Sequence, residues 1–241
     1  SLGQRNDLKC VSLEHKMGIH GSPTCVMSYG DNEGAVGYFI GEENQGLTCM
    51  FTMMNLTRLL VGIQGPGIGE RAYQQAANYA RERVQGANSS GETVPIIEHP
   101  DVKRMLLDMK AKTEACRSIT IYTASCIDRS KRAPADAERA KFLSRLELLT
   151  PIAKAWCSNV GIDIASTGIQ VQGGTGFIEE TGAAQHYRDI RITAIFEGAN
   201  GIQAKDLVGR KVIRDNGEAL KLLSTEISET VTSLLSSDHE D

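Results

Sequence analysis

Gln170-Val-Gln-Gly-Gly-Thr-Gly-Phe177 ends a long helical pattern in a glycine-rich turn, and Ile195-Phe-Glu-Gly-Ala-Asn-Gly-Ile-Gln203 follows further along the chain. Glycine lets a backbone approach a phosphate closely and present its N–H groups as donors. In the second stretch, the carboxylate of Glu197 is followed at once by Gly198. A carboxylate beside a small residue can reach a substrate carbon without steric obstruction. The two stretches together predict a cofactor-binding turn and a base.

Both stretches also have a structural interpretation. Glu197 is placed where an acid stabilises the N-terminal dipole of a helix. The apolar residues Ile195 and Phe196 before it favour the alternative, a partly desolvated base for a weakly acidic C–H. The glycines after the helical pattern suit a C-terminal helix stop, and they do not form the dinucleotide fingerprint because no strand precedes them.

Two arginines are further candidates. Arg83 stands where a helical pattern ends, so it either offsets the helix dipole or clamps a phosphate. Arg58 lies in an otherwise apolar helical pattern and needs an anionic partner. Its position indicates an internal anionic site.

The composition excludes several classes of protein. The chain has 241 residues, of which 41% are hydrophobic and 23% charged, and its net charge is −4. These values are typical of a soluble globular protein and offer no basic field for nucleic acid. No uninterrupted run approaches the roughly 18–20 apolar residues of a membrane span, and no signal peptide is visible. The six cysteines form no C-x-x-C pair, which favours reduced thiols in the cytoplasm, with no disulfide frame and no metal site.

The first 45 residues predict part of a β-domain. Segments 9–13, 24–29 and 35–40 are rich in strand-forming residues and are separated by glycine-containing turns. Three strands alone make a thin sheet with exposed edges. Residues 1–45 are therefore interpreted as the end of a larger antiparallel β-domain.

From Gly46 the apolar pattern becomes helical. One pattern begins there, a second runs from Pro100 to about residue 132, and a third runs from Asp136 to Gly173. A fourth starts after Gly198 and is interrupted near residue 209. Four long amphipathic segments with short links predict a mainly α fold, in which residues 46–241 form an antiparallel four-helix bundle.

The order of the motifs resembles the C-terminal half of the acyl-CoA dehydrogenases. The resemblance covers nearly the whole chain, and its loop after Gly86 looks most like the branch that contains 3-methylthiopropanoyl-CoA dehydrogenases. The matching pieces are Lys16-Met-Gly-Ile-His-Gly-Ser-Pro-Thr24, Gly41-Glu-Glu-Asn-Gln-Gly46, Asn55-Leu-Thr-Arg58, Glu70-Arg-Ala-Tyr73, Tyr79-Ala-Arg-Glu-Arg83, Tyr187-Arg-Asp189 and the two stretches quoted first.

The resemblance implies an enzyme that oxidises acyl-CoA thioesters with FAD, of which this chain supplies the end of the middle β-domain and the C-terminal bundle. Glu197 falls on the glutamate that removes the α-proton while the β-hydrogen passes to the flavin as hydride. Some members carry the base immediately before the early-helix arginine, and that position here is Thr57, which cannot serve. An acyl-CoA oxidase on the same scaffold, or a non-catalytic helical oligomerisation module, are the alternatives.

The resemblance also implies roles for other residues. The diphosphate and adenosine end of FAD, commonly across a subunit boundary, would contact Arg83, Gln170, Gly173, Gly174 and Gly176. Gly201 and Gln203 would belong to the second flavin-contacting stretch, and Arg58 and Gly198 to the substrate site. Many members have Thr where this chain has Ala199, which removes one flavin contact. The implied partners are an acyl-CoA, an electron acceptor such as an electron-transfer flavoprotein, and further copies in a homodimer or tetramer.

Overall fold

A computed structural model describes residues 3–236 of the chain, apart from the side chain of residue 52. The chain divides into two compact units, Ser1–Met54 and Asn55–Asp241. The unit boundary falls within the first long helix, which begins at Gly46 as the sequence predicts.

The N-terminal unit contains a two-stranded antiparallel sheet. Strand β1 (Leu8–Leu13) pairs with β2 (Cys25–Tyr29), with Leu8 opposite Tyr29 and Leu13 opposite Cys25. The register shifts between Cys10 and Ser12, which is a β-bulge. The prediction of a third strand at 35–40 is wrong, since that segment has no regular structure. Gly34 and Gly37 flank its start and favour irregular backbone over a paired strand.

Helix α1 (Gly46–Glu82) is continuous, although Pro66 lies inside it. Strands β3 (Val84–Ala87) and β4 (Thr93–Pro95) form an antiparallel hairpin in the region of the loop noted after Gly86. The side chain of Asn88 holds the hairpin turn, because its Oδ1 accepts hydrogen bonds from the backbone N–H groups of Ser90 and Glu92.

Helices α2 (Pro100–Arg132) and α3 (Asp136–Gln172) follow the predicted bounds, and Pro151 does not interrupt α3. α2 runs antiparallel to α3: the Cys157 thiol lies against the Cys116 carbonyl, and Arg145 donates to the Tyr122 hydroxyl. The core of the C-terminal unit lies between α1, α2 and α3. It contains Ala72, Ala76, Ala80, Met109, Cys116, Cys157, Ile164 and Ile190.

α1 runs in the same direction as α3 and approaches it through glycines. A Cβ placed on Gly62 would lie 3.0 Å from the carbonyl oxygen of Ala153, and one on Gly65 would lie 2.2 Å from that of Cys157. The backbones of the two helices are therefore in direct contact along this line.

The fourth predicted helix is divided. It forms α5 (Asn200–Asp206), a π-helical segment Leu207–Ile213 and α6 (Glu218–Leu235), after a short helix α4 (Ala183–Arg191) that the sequence analysis did not predict. The predicted interruption near Gly209 lies inside the π-helical segment. The turn comes later, where Asn216 and Gly217 both have positive φ. The carboxylate of Asp215 accepts from the N–H groups of Gly217 and Ala219 and caps α6.

Helix α1 has to be compared with the prediction that the chain contains no membrane span. Its best 18-residue window has a mean hydropathy of 1.3, so by length and composition alone α1 could cross a membrane. A core helix of a soluble protein passes the same test. The sequence analysis looked for an uninterrupted run of apolar residues. It did not select α1, because Asn55 and Arg58 divide the apolar residues of this helix.

Candidate active site

Glu197 lies in a short loop between α4 and α5. A 3₁₀ turn, Ile192–Ala194, follows α4, and the chain then reverses through Glu197 (φ 53°) and Gly198 (φ 86°). A non-glycine residue in the left-handed region is uncommon, and such strain concentrates at functional sites. The hydroxyl of Ser158 donates to the Thr193 carbonyl and fastens the turn to α3.

Gly198 and Gln203 are in contact, which the sequence analysis did not predict. Gln203 is 1% exposed and its Nε2 donates to the Gly198 carbonyl oxygen at 3.0 Å. A Cβ on Gly198 would lie 2.6 Å from the same nitrogen and 3.7 Å from Nη2 of Arg58. Gly198 therefore brings the backbone into close contact with two buried polar side chains.

Arg58 has the anionic partner that its apolar helix requires. Its Nη1 donates to Oδ2 of Asp206, 148 residues away, at 3.1 Å, and both side chains are 6% exposed. Two buried polar atoms at this point have no hydrogen-bond partner among the described residues, Nε of Arg58 and Oε1 of Gln203. Unpaired buried groups are costly, so both atoms are suited to bind a ligand or a water molecule.

A buried lysine completes the cluster. Lys154 of α3 is 0% exposed, and its Nζ donates to Oδ1 of Asn200 at 3.1 Å. Burial, and then the positive charge of Arg58, lower the pKa of Lys154 to about 8, while the negative charge of Glu197 acts in the opposite direction. The site thus holds two buried cations, Arg58 and Lys154, and two carboxylates, Asp206 and Glu197. Asp206 forms an ion pair with Arg58, whereas Glu197 does not.

This arrangement is chemically suited to proton abstraction. Glu197 is half-buried, so its carboxylate is accessible to a molecule that approaches the loop. Ile195 and Ile202, which flank it in sequence, are apolar and are 53% and 52% exposed. An accessible carboxylate close to buried cations can accept a proton, and the cations can stabilise negative charge.

The remaining predicted cofactor residues lie elsewhere. Gly173 ends α3 with φ 58°, and Gly173–Phe177 forms a 3₁₀ turn in which Gly173 and Gly174 are exposed and Gly176 is buried. The Tyr79 hydroxyl donates to Thr175 Oγ1 at 3.2 Å, which joins this turn to the end of α1. Arg83 follows α1 directly and is exposed, as is Gln170.

The predicted residues therefore form two groups within one chain. Arg58, Gly198 and Gln203 lie with Glu197, and Gly201 is in the first turn of α5 close by. Arg83, Gln170 and the glycine turn lie at the far end of α1 and α3. Arg58 and Tyr79 are 21 residues apart on the continuous helix α1, which corresponds to about 30 Å.

The sequence analysis missed three residues of the site, Lys154, Asn200 and Asp206. The sequence could have indicated Lys154, because it is the only charged residue between Glu147 and Asp163 in α3. No sequence pattern indicated Asp206, since its pairing with Arg58 depends on the tertiary fold.

Gly198→Ala is expected to lower the free energy of unfolding by about 1–2 kcal/mol, because a side chain is strained at φ 86° and meets Gln203 Nε2. Gly201→Ala is the matched control: among the described residues, nothing lies within 4 Å of its Cβ position. Urea unfolding of both variants measures the difference. Equal midpoints would contradict the assigned role of Gly198.

Known proteins match the chain in sequence. Residues 44–213 match the family model described as acyl-CoA dehydrogenase, C-terminal domain. The chain is 51% identical to 3-methylmercaptopropionyl-CoA dehydrogenase of Ruegeria pomeroyi, over 94% of this chain and 38% of that protein. It is 39% identical to a butyryl-CoA dehydrogenase of Syntrophomonas wolfei, over 96% of this chain and 39% of that protein.

The fold matches as well. The crystal structure of an acyl-CoA dehydrogenase complexed with FAD from Bacillus anthracis gives a TM-score of 0.76 at 26% identity, over 97% of this chain and 40% of that one. The chain spans about two fifths of the length of the curated relatives named above. The chain belongs to the acyl-CoA dehydrogenase family, and residues 44–213 match its C-terminal domain.

Proposed function

We propose that the full protein is a flavin-dependent acyl-CoA dehydrogenase that introduces an α,β double bond into acyl-CoA thioesters, with Glu197 as the α-proton base. The observation that carries the proposal is the position of Glu197: a strained loop holds it beside buried cations in a chain of this family. The names of the relatives, a 3-methylmercaptopropionyl-CoA and a butyryl-CoA dehydrogenase, favour a short acyl group as the substrate.

The residues of the loop have distinct roles in this proposal. Glu197 accepts the proton from the α-carbon. Arg58 contributes positive charge where negative charge develops on the thioester, and Asp206 holds its guanidinium in place. Gly198 keeps the space beside the carboxylate free, because a larger residue would displace the side chain of Gln203.

The chain fits FAD at two places. The unpaired Oε1 of Gln203 is a buried acceptor that a bound group would satisfy, and Gly201 beside it leaves its Cβ position open. The exposed glycine turn and Arg83 offer N–H groups and a guanidinium to the diphosphate and adenosine end. When bound, FAD supplies the two-electron acceptor for the β-hydride.

The distance between these two places supports an oligomer. About 30 Å of helix α1 separates them in one chain, so the two groups of residues lie at opposite ends of the helix. We propose that two copies of the protein form each complete site, in a homodimer or tetramer. A monomer at micromolar concentration by analytical ultracentrifugation of the full protein would contradict this arrangement.

The proposal extends to the domains and partners. Residues 1–45 are the end of the middle β-domain and residues 46–241 the C-terminal helical domain, in which the divided segment after Gly198 completes an antiparallel four-helix bundle. The reoxidising partner is an electron acceptor such as an electron-transfer flavoprotein, and the protein acts in the cytoplasm.

The test uses the full-length protein, purified with its flavin under anaerobic conditions. Addition of butyryl-CoA or 3-methylthiopropanoyl-CoA should bleach the oxidised flavin and yield the 2-enoyl-CoA in equal amount. An intact flavin spectrum with every acyl-CoA of a chain-length series would refute the proposal. Rapid peroxide formation during turnover in air would instead favour an oxidase.

A further inference from the structure

A basic cleft lies along the helix that leaves the candidate active site. Its volume of about 410 Å³ is within the range of roughly 300–1,000 Å³ that small-molecule sites occupy. Gly209 keeps the middle of the cleft open, since among the described residues nothing lies within 4 Å of its Cβ position. The lining residues come from α5, from the π-helical segment and from the residue directly after it: Ile202, Lys205, Asp206, Gly209, Arg210 and Arg214.

Packing does not account for the cations of this cleft. Lys211 of the same segment shows what packing requires, because its ammonium pairs with Glu147 of α3 at 3.1 Å. Lys205 and Arg214 are exposed, and within residues 3–236 neither forms an ion pair with a carboxylate. Cations also offset the dipole at the end of a helix, but that effect is confined to the last turn and does not reach Lys205. Both side chains are therefore available to an anion.

One carboxylate joins the cleft to the candidate active site. Asp206 accepts from Nη1 of Arg58 through Oδ2 (3.1 Å) and from Nη1 of Arg210 through Oδ1 (3.4 Å). The side chain of Asp206 is 6% exposed and that of Arg210 is 55% exposed, so these contacts lead from the buried site to the surface. Ile202, at one end of the cleft, directly precedes the buried Gln203. A molecule held beside Arg58 can therefore continue into the cleft.

The arrangement of the cations is suited to phosphate groups. Guanidinium and ammonium groups are the usual phosphate ligands of proteins. Lys205, Arg210 and Arg214 follow one another at intervals of five and four residues, which corresponds to at most about 13 Å of helix. One small anion would contact only part of this row. An acyl-CoA carries several phosphate groups at the end of the pantetheine arm that lies opposite the thioester, so it can contact the whole row.

We propose that Lys205, Arg210 and Arg214 bind the phosphate groups of the acyl-CoA, and that the cleft holds the nucleotide end of the substrate while the thioester lies at Glu197. The inference rests on the proposed function for the identity of the ligand. An acidic surface of a partner protein would also be attracted by these cations. The concave shape of the cleft and its connection to Arg58 through Asp206 favour the substrate.

The first test measures binding without catalysis, by isothermal titration calorimetry of the full-length protein with coenzyme A. The double variant Lys205→Gln, Arg214→Gln should bind coenzyme A about tenfold more weakly, because two exposed charge-assisted contacts are lost. The double variant Lys205→Arg, Arg214→Lys keeps both charges and should retain most of the affinity. Lys131→Gln removes an exposed cation in the last turn of α2 and is the matched control.

Two results of this test would overturn the proposal. One is an unchanged dissociation constant for coenzyme A in the double glutamine variant. The other is an equal loss of affinity in the variant that keeps both charges, since the cleft would then act through the fold and not through its cations. Lys205 and Arg214 are exposed, so the unfolding midpoint of the double variant should be close to that of the wild type. If the double variant does not fold, the two single glutamine variants replace it.

The second test separates the substrate from other occupants. ADP has phosphate groups but no pantetheine arm, so the wild-type protein should bind ADP more weakly than coenzyme A. Equal affinities, lost together in the double glutamine variant, would identify a site for free nucleotides and overturn the proposal. The same holds if this variant keeps its affinity for coenzyme A but its reduced flavin is reoxidised more slowly by an electron-transfer flavoprotein, because the cleft would then dock a partner.

The outcome for the cleft is separable from that for the proposed function. If no acyl-CoA reduces the wild-type flavin, the proposed dehydrogenation fails, and calorimetry with coenzyme A still decides the role of the cleft. If the flavin is reduced and the double glutamine variant binds coenzyme A as the wild type does, only the assignment of the cleft fails.

Discussion

Glu197→Gln in the full-length protein is expected to lower the rate of flavin reduction by acyl-CoA by about 10³-fold or more. Glutamine has the size of glutamate but cannot accept a proton, and a positioned general base contributes a factor of this order. The loop should keep its shape, because the substitution leaves Gly198 and the hydrogen bond from Gln203 unchanged. Stopped-flow spectroscopy under anaerobic conditions gives the rate, and the flavin spectrum before mixing shows whether the cofactor is retained.

Glu229→Gln is the control for this experiment. Glu229 is exposed on α6, and the substitution changes the net charge by the same amount. The control should reduce its flavin at the wild-type rate. If Glu197→Gln retains bound flavin and turns over normally, another residue is the base. If it loses flavin, the measured rate reports on cofactor binding, and proton exchange at the substrate α-carbon then has to be followed directly.

The sequence placed together those candidate residues that are close along the chain. Glu197, Gly198 and Gln203 lie within one short stretch, so their proximity follows from local geometry, and the structure brings them together. The partner of Arg58 could be inferred to exist, because an unpaired arginine in an apolar helix is costly. Its identity as Asp206 could not be inferred, since 148 residues separate the two.

The fold was likewise predicted in part from the sequence. The bounds of α2 and α3 were predicted because long periodic patterns with clear proline and glycine signals are reliable. The strand expected at 35–40 is absent, since a strand also needs a neighbour to pair with. The division of the last helix depends on Asn216 and Gly217 in the left-handed region, and the sequence analysis gave weight to Gly209 instead.

The sequence analysis also could not show that the predicted cofactor residues form two separate groups. A motif list places Arg83 and Gln203 side by side as flavin contacts, but it carries no distances. The continuity of α1 through Pro66 supplies the distance, because an α-helix rises by about 1.5 Å per residue.

Gly65→Ala is expected to destabilise the C-terminal unit by at least about 3 kcal/mol. The new Cβ would lie 2.2 Å from the carbonyl oxygen of Cys157 and 2.7 Å from its carbonyl carbon, and both atoms belong to the backbone of α3. A backbone atom cannot move aside as a flexible side chain can, so the two helices must separate. Overpacking of this kind commonly costs about 1–3 kcal/mol, and here the contact is with backbone.

Gly67→Ala, two residues further along the same helix, is the matched comparison. Gly67 is exposed, and among the described residues nothing lies within 4 Å of its Cβ position. Alanine favours a helix over glycine by about 1 kcal/mol, so this variant should be more stable than the wild type. Urea denaturation followed by circular dichroism compares the two. A loss of stability in Gly65→Ala together with a gain in Gly67→Ala would show that the contact between α1 and α3, and not helix propensity, sets the requirement for glycine at position 65. A stabilised Gly65→Ala variant would mean that the two helices do not approach as closely as the structure places them.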